Sequence, residues 1–192
     1  MNKKITTKQI VGTGLLLALE IIFQIIGNYI HIGTVNINLT LSVVALAAVF
    51  YGPFSGAVVG FFNGLMALLS PDTIAFFMPY SVIGTVLACL LKTTLAGLIA
   101  GFVFKVFKQR NQIIGLLIVG LLVPIINTGI FMFACLIFFR TLLESNVNEL
   151  YPNIWALLIF GFIGLNFIFE IISTPVLTVS LGTPIIKREQ EQ

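Results

Sequence analysis

Apolar residues run through this chain in long blocks rather than in alternation. Blocks at residues 10–27, 39–50, 54–69, 80–107, 112–140 and 153–181 are separated by short polar or Gly/Pro-bearing breaks. A helix that crosses a bilayer needs about 20 apolar residues, and several blocks reach that length. The alternation every second residue that marks a membrane β-barrel is absent. The pattern predicts an all-α membrane protein: a single transmembrane domain, built as a bundle of six transmembrane helices. The second and third segments are the shortest, and Tyr51-Gly52-Pro53 ties them into a hairpin. Gly56, Gly60 and Gly64 recur every four residues. Such a stripe permits near backbone contact in membranes, so the second and third segments are expected to pack closely. Ala96, Gly97, Ala100 and Gly101 offer a similar stripe on the fourth segment.

Composition narrows the class further. The chain has 192 residues, of which 58% are hydrophobic and 9% charged, whereas soluble domains carry about 25% charged residues. No polar stretch exceeds a loop's length, and no small-residue cleavage site follows the first block, so no cleavable signal peptide is expected. With six spans, one side collects Lys3, Lys4, Lys8, Lys105, Lys108, Arg110, Lys187 and Arg188, and the other only Arg140. The positive-inside rule then places both the N and C termini in the cytoplasm, in a multi-pass protein of the cell membrane. Loops 28–38, 70–79 and 141–152 face outward. The basic excess therefore speaks of orientation and not of nucleic acid.

Enzyme signatures are absent. There is no Gly-rich phosphate loop, no His-Glu-x-x-His and no Gly-x-Ser-x-Gly. His31 is the only histidine, and Cys89 and Cys135 lie inside apolar blocks, so neither a metal site nor a catalytic triad is expected. No enzyme activity and no cofactor follow, and the chain has no nucleotide site with which to drive uphill movement by itself.

The polar groups inside the spans carry the functional reading. The stretch 123–129, Val-Pro-Ile-Ile-Asn-Thr-Gly, sits in the middle of the fifth segment. Pro124 removes a backbone hydrogen bond and bends the helix, and Gly129 lets a backbone or ligand approach closely. Asn127 and Thr128 between them need a partner or a cavity, because unpaired polar groups are costly in hydrocarbon. At about 1.5 Å per residue, Lys92 on the fourth segment and Asn166 on the sixth lie at the same depth. Three helices thus level polar groups where a mostly apolar pocket can recognise a small solute. The competing reading makes Lys92 a structural ion pair with Glu170 or Glu20, and sets Arg140 at the headgroups. On the outer side, Asn36, Asn38 and Tyr80 are further candidate contacts. Asn36 and Asn38 are equally placed to cap the second segment, and Tyr29, Tyr151 and Trp155 read as interfacial anchors.

Six helices, fewer than 200 residues, cytoplasmic termini and no ATPase motif resemble the substrate-binding S-components of energy-coupling factor (ECF) vitamin transporters. The resemblance spans essentially the whole chain. Gly14-Leu-Leu-Leu-Ala18 is similar to the family's small-xxx-small motif, and implies that Gly14 and Ala18 dock on a transmembrane coupling subunit. Residues 36–60, with Tyr51-Gly-Pro-Phe-Ser-Gly-Ala57 at their centre, are similar to the family's helix–loop–helix segment. The stretches Pro124-Ile-Ile-Asn-Thr-Gly129 and Asn36-Ile-Asn-Leu-Thr40 look most like pantothenate-type members. The resemblance implies a vitamin bound at the outer side and two cytoplasmic ATPase subunits that, through the coupling subunit, drive its delivery inward. On chemical grounds Lys92 or Arg140 would meet a carboxylate, and Asn127, Thr128 and Asn166 an amide and hydroxyls. The alternatives are another vitamin such as folate, riboflavin or cobalamin, a structural membrane protein without a ligand, and a small channel or ion-coupled carrier with Glu20, Lys92 and Glu170 as a relay.

Overall fold

No polar residue interrupts the run VVALAAVF at residues 43–50, and a helix that is apolar all round sits either in a protein core or in lipid. The computed structural model describes residues 6–190 except 30, 33, 34, 37 and 38, and no side chain at 28–38 or 189–190. In chain order it contains α1 (Thr7–Tyr29), the strands β1 (His31–Ile32) and β2 (Val35–Asn36), α2 (Thr40–Tyr51), α3 (Pro53–Leu68) and α4 (Pro71–Phe76). Then follow α5 (Val82–Phe107), α6 (Gln112–Phe138), α7 (Arg140–Ser145), α8 (Ile154–Ala156), a π-helical stretch (Leu157–Ile163) and α9 (Gly164–Gln190). The run forms α2, buried at every position from Thr40 to Val49, and α1, α3, α5, α6 and α9 pack around it.

Among the described residues four stretches are long and apolar enough to cross a bilayer: Thr7–Gly27, Val82–Phe107, Gln112–Phe138 and Ile154–Arg188. α2 and α3 are shorter; at 1.5 Å per residue they reach about 18 and 24 Å, against a hydrocarbon core of about 30 Å. They form a hairpin that turns on Gly52 at φ +94°, with Pro53 opening α3. A hairpin returns the chain to the side it left, so the order of the long spans is unaffected.

The glycine stripe of α3 does not face α2, as its spacing alone suggests; it faces α5. A Cβ on Gly60 would stand 2.2 Å from the Thr93 carbonyl oxygen, and one on Gly64 2.3 Å from that of Cys89. In return, a Cβ on Gly97 would stand 2.2 Å from the carbonyl oxygen of Gly56. The two stripes read from the sequence are therefore partners of each other, and α2 meets the seam where Ala48 reaches Gly56 and Val44 reaches Gly97. On α6 the close approach falls at Gly120, which faces Pro175 of α9, while Gly129 meets nothing within 4 Å. The expectation that Gly129 admits a neighbouring backbone is corrected accordingly.

α1 is held differently. Its outer face is apolar and exposed at Val11, Leu15, Ile22 and Ile26. Its inner face packs Leu16, Leu17, Leu19 and Phe23 on the core and carries a polar ladder, at a spacing that lines up along one side of a helix. Gln9 Nε2 donates to the Tyr51 carbonyl at 3.3 Å and Thr13 Oγ1 to Ser55 Oγ at 2.9 Å. Asn63 Nδ2 donates to Glu20 Oε1 at 3.0 Å and to Thr40 Oγ1 at 2.7 Å. Glu20, fully buried, is thus tied to α3.

The seam makes a signed prediction. Gly60→Ala forces a methyl group against backbone that cannot swing aside, and is expected to destabilise by about 1–3 kcal/mol. Gly14→Ala, where a Cβ meets nothing within 4 Å, is expected to be neutral or stabilising. Thermal unfolding in detergent checks both; equal melting temperatures for the two variants would contradict the packing.

Candidate functional site

Helical spacing decides which side chains share a face. Thr85, Cys89 and Lys92 share one face of α5; Asn127, Thr128 and Phe131 one of α6; Asn166, Phe167 and Glu170 one of α9. All of them open onto a single cavity of about 270 Å³. Thr73 of α4, Phe77, Phe139, and Phe162 and Ile163 of the π-helical stretch line it as well. The structure therefore brings together Lys92, Asn127, Thr128 and Asn166, the four candidates that the sequence levels at one depth.

Local chemistry explains how the walls are placed. Ser81 caps α5, its Oγ accepting from the Gly84 N–H at 3.1 Å, so α5 begins at Val82 rather than Tyr80. Asn111 caps α6, its Oδ1 accepting from Ile113 N–H and Ile114 N–H, and α6 continues through Pro124. The segment 70–79, read as a loop, contains α4, with Ser70 accepting from the Thr73 N–H at 3.3 Å. The sixth segment is not one helix. Asn153 caps α8, the chain widens at once into the π-helical stretch, and Gly164 at φ +37° breaks it before α9 starts. An L side chain is strained at such a φ, and π-helical insertions recur at functional sites. Here the break lets Phe162 and Ile163 on one side of Gly164, and Asn166, Phe167 and Glu170 on the other, face the same space.

The lining joins apolar bulk with a few polar groups. Phe77 is the hub of an aromatic cluster, its ring 5.2 Å from Phe139, 5.8 Å from Phe131 and 5.9 Å from Phe162 between centroids. Lys92 Nζ stands 5.3 Å from the centre of the Phe131 ring, a cation–π distance. Among the described residues no ion pair joins Lys92 to Glu20 or Glu170; Glu20 belongs to the α1–α3 contact. Asn127 is 8% exposed, and its Oδ1 has no hydrogen-bond partner among the described residues. Among those residues no three His, Cys, Asp or Glu side chains gather as metal ligands do. The cavity thus offers an amino group, a carboxyl group, amides and hydroxyls within an aromatic wall, the mix of groups found in small-molecule pockets.

The remaining candidates lie elsewhere. Tyr80, before the cap, is 47% exposed and outside the cavity lining. Asn38 lies outside the described residues. Of Asn36 only the backbone is described, in β2, which pairs with β1 and runs beside α9. Leu39 at the N-cap of α2 makes no side-chain cap bond. Arg140 opens α7 and pairs with Glu144 at 2.9 Å on the surface. Gly14 and Ala18 are both exposed on α1, and Gly14 edges a separate apolar groove of about 310 Å³ between α1 and α3. Sequence reasoning left Glu170, Phe131 and Thr85 out of the site. The signal was there in the helical period: each stands three, four or seven residues from a residue already chosen.

The family model for the ECF transporter, substrate-specific component, matches residues 8–181. No curated protein and no solved structure matches the chain.

Gly164→Ala is expected to lower the stability of the purified protein by about 1–3 kcal/mol, the strain of a side chain at an unfavourable φ. An unchanged melting temperature in detergent would mean that the break between the π-helical stretch and α9 is not held as described.

Proposed function

The chain belongs to the ECF transporter substrate-specific component family, and from that premise we propose that its cavity receives a water-soluble vitamin, pantothenate first, from the outer side of the membrane. A member of this family is a multi-pass membrane subunit that gives an ECF transporter its substrate specificity, and it works with transmembrane and ATPase subunits. The observation that carries the finer reading is the convergence of Lys92, Asn127, Thr128 and Asn166, from three helices, on one cavity.

The chemistry of pantothenate fits these groups. Its carboxylate pairs with the Lys92 ammonium. The orphaned Asn127 Oδ1 accepts from the amide N–H or a hydroxyl, and Thr128 and Asn166 serve the remaining polar atoms. Glu170 adds an acceptor for a hydroxyl. A volume of about 270 Å³ lies just below the usual span of ligand pockets, about 300 to 1,000 Å³. That favours a compact vitamin over a corrinoid. The wall of Phe77, Phe131, Phe139, Phe162 and Phe167 favours a second reading, a vitamin bearing a planar ring, since aromatic faces gain from stacking. A purely structural membrane protein has no use for polar groups gathered from three helices around a hollow.

Uptake then proceeds by binding outside, docking through the exposed Gly14 and Ala18 face of α1 on the transmembrane coupling subunit, and release inside when two cytoplasmic ATPases drive the subunit to topple.

Two measurements test this. Against a vitamin panel, saturation at about 100 times the dissociation constant should stabilise the detergent-purified protein by about 2.7 kcal/mol. Pantothenate is expected to give that response in the wild type and to lose at least tenfold in affinity with Lys92→Met. A response to a ring-bearing vitamin alone selects the second reading, and a flat panel contradicts both. Gly14→Trp or Ala18→Trp should leave ligand binding intact and abolish uptake in vesicles containing the whole transporter; normal uptake would remove α1 as the docking face.

A further inference from the structure

The end of the bundle opposite the substrate cavity holds a second polar hollow that the transport reading does not use. The α5–α6 turn and the last turns of α9 enclose about 390 Å³ there. Lys108 and Arg110 line it from the turn and Lys187 from α9, and all three are exposed. Among the described residues none of the three forms an ion pair. The first turn of α6 adds the positive end of a 27-residue helix. Thr183, on the same lining, has its Oγ1 buried without a hydrogen-bond partner among the described residues. Among the described residues three cations converge on this hollow and no acid lines it, and the Thr183 hydroxyl has no partner.

The surroundings say where such an anion would come from. Ile113 lines the hollow and is 49% exposed, and Val106 and Ile185, each within two residues of a lining residue in the chain, are exposed too. These residues lie at the ends of the long apolar spans, so the cations meet the headgroup layer while the apolar residues meet acyl chains. A basic hollow between spans at that level suits an anionic lipid headgroup. We propose that Lys108, Arg110, Lys187 and Thr183 form a binding site for a phosphate diester, carried by an anionic phospholipid whose acyl chains lie along Val106, Ile113 and Ile185. The guanidinium and ammonium groups hold the phosphate oxygens, and the Thr183 hydroxyl donates to one of them.

The test uses the full-length protein in neutral detergent, with lipid retention read by native mass spectrometry and stability by thermal unfolding. Phosphatidylglycerol is expected to be retained and to raise the melting temperature; phosphatidylcholine, with the same acyl chains, is expected to do neither. Lys108→Ala, Arg110→Ala and Lys187→Ala should each weaken retention roughly fivefold, the effect of one cation at an anionic surface. Lys105→Ala, an exposed cation outside the lining, is the control and should leave retention unchanged. Thr183→Val should weaken retention of phosphatidylglycerol without changing the charge. Equal losses in Lys105→Ala would reduce the effect to a diffuse field and overturn the site. Inorganic phosphate that stabilises with the same residue dependence, while the lipid adds nothing, would overturn the lipid as its source. Variants that retain lipid normally but no longer assemble with the coupling and ATPase subunits would assign the hollow to a protein partner instead, and would overturn the proposal as well.

Discussion

The backbone contact between α3 and α5 is the constraint on which the other features rest. Lipid tails are as apolar as leucine, so helices in a bilayer gain little from burying apolar surface against each other. They gain from close fit. At Gly56, Gly60 and Gly64 the α3 backbone comes so near Gly97, Thr93 and Cys89 that no Cβ fits between them. Approach at that range brings Cα–H groups near carbonyl oxygens, a contact of about 0.5–1 kcal/mol. It also sets the rotation of α5 about its axis. With Thr93 turned to α3, Lys92 one residue earlier is turned about 100° away, toward α6 and α9. The cation of the cavity is placed by glycines that never touch the cavity.

The rest of the bundle follows the same division of labour. α2 fills the centre and has no polar side chain between Val43 and Val49 to satisfy. α6 and α9 approach each other where Gly120 meets Pro175, and the cavity opens at the level of Asn127 and Asn166. The π-helical stretch and Gly164 then turn Phe162 and Ile163 inward. α1 stands apart from this scheme. Its ties to α2 and α3 include a polar ladder, and it leaves an apolar face exposed. Such a face suits a helix that must exchange lipid for a protein partner.

Periodicity made much of this legible in the sequence. The apolar blocks carry the all-α membrane class, because in hydrocarbon a helix must satisfy its backbone internally. Lys92, Asn127, Thr128 and Asn166 were readable as a group, because depth scales with residue count. The glycine stripe announced a close contact but not its partner: a stripe describes one surface, and α2 and α5 both carry small residues. The break at Gly164 was hidden because a glycine inside an apolar block reads equally as helix packing or as a bend. Glu20 was readable as an intramembrane carboxyl group, yet its partner Asn63 lies 43 residues away, beyond the reach of any local pattern. The aromatic cluster around Phe77 was invisible for the same reason, since it joins a turn, α6 and the π-helical stretch.

We propose the hollow between α5, α6 and α9 as the seat of the transported solute. A structure of the purified protein with pantothenate bound tests it most directly. The ligand is expected in that hollow, its carboxylate about 3 Å from Lys92 Nζ and an N–H or hydroxyl on Asn127 Oδ1. A ligand found in the groove beneath α1, or anywhere that leaves Lys92 and Asn127 without contact, would contradict it.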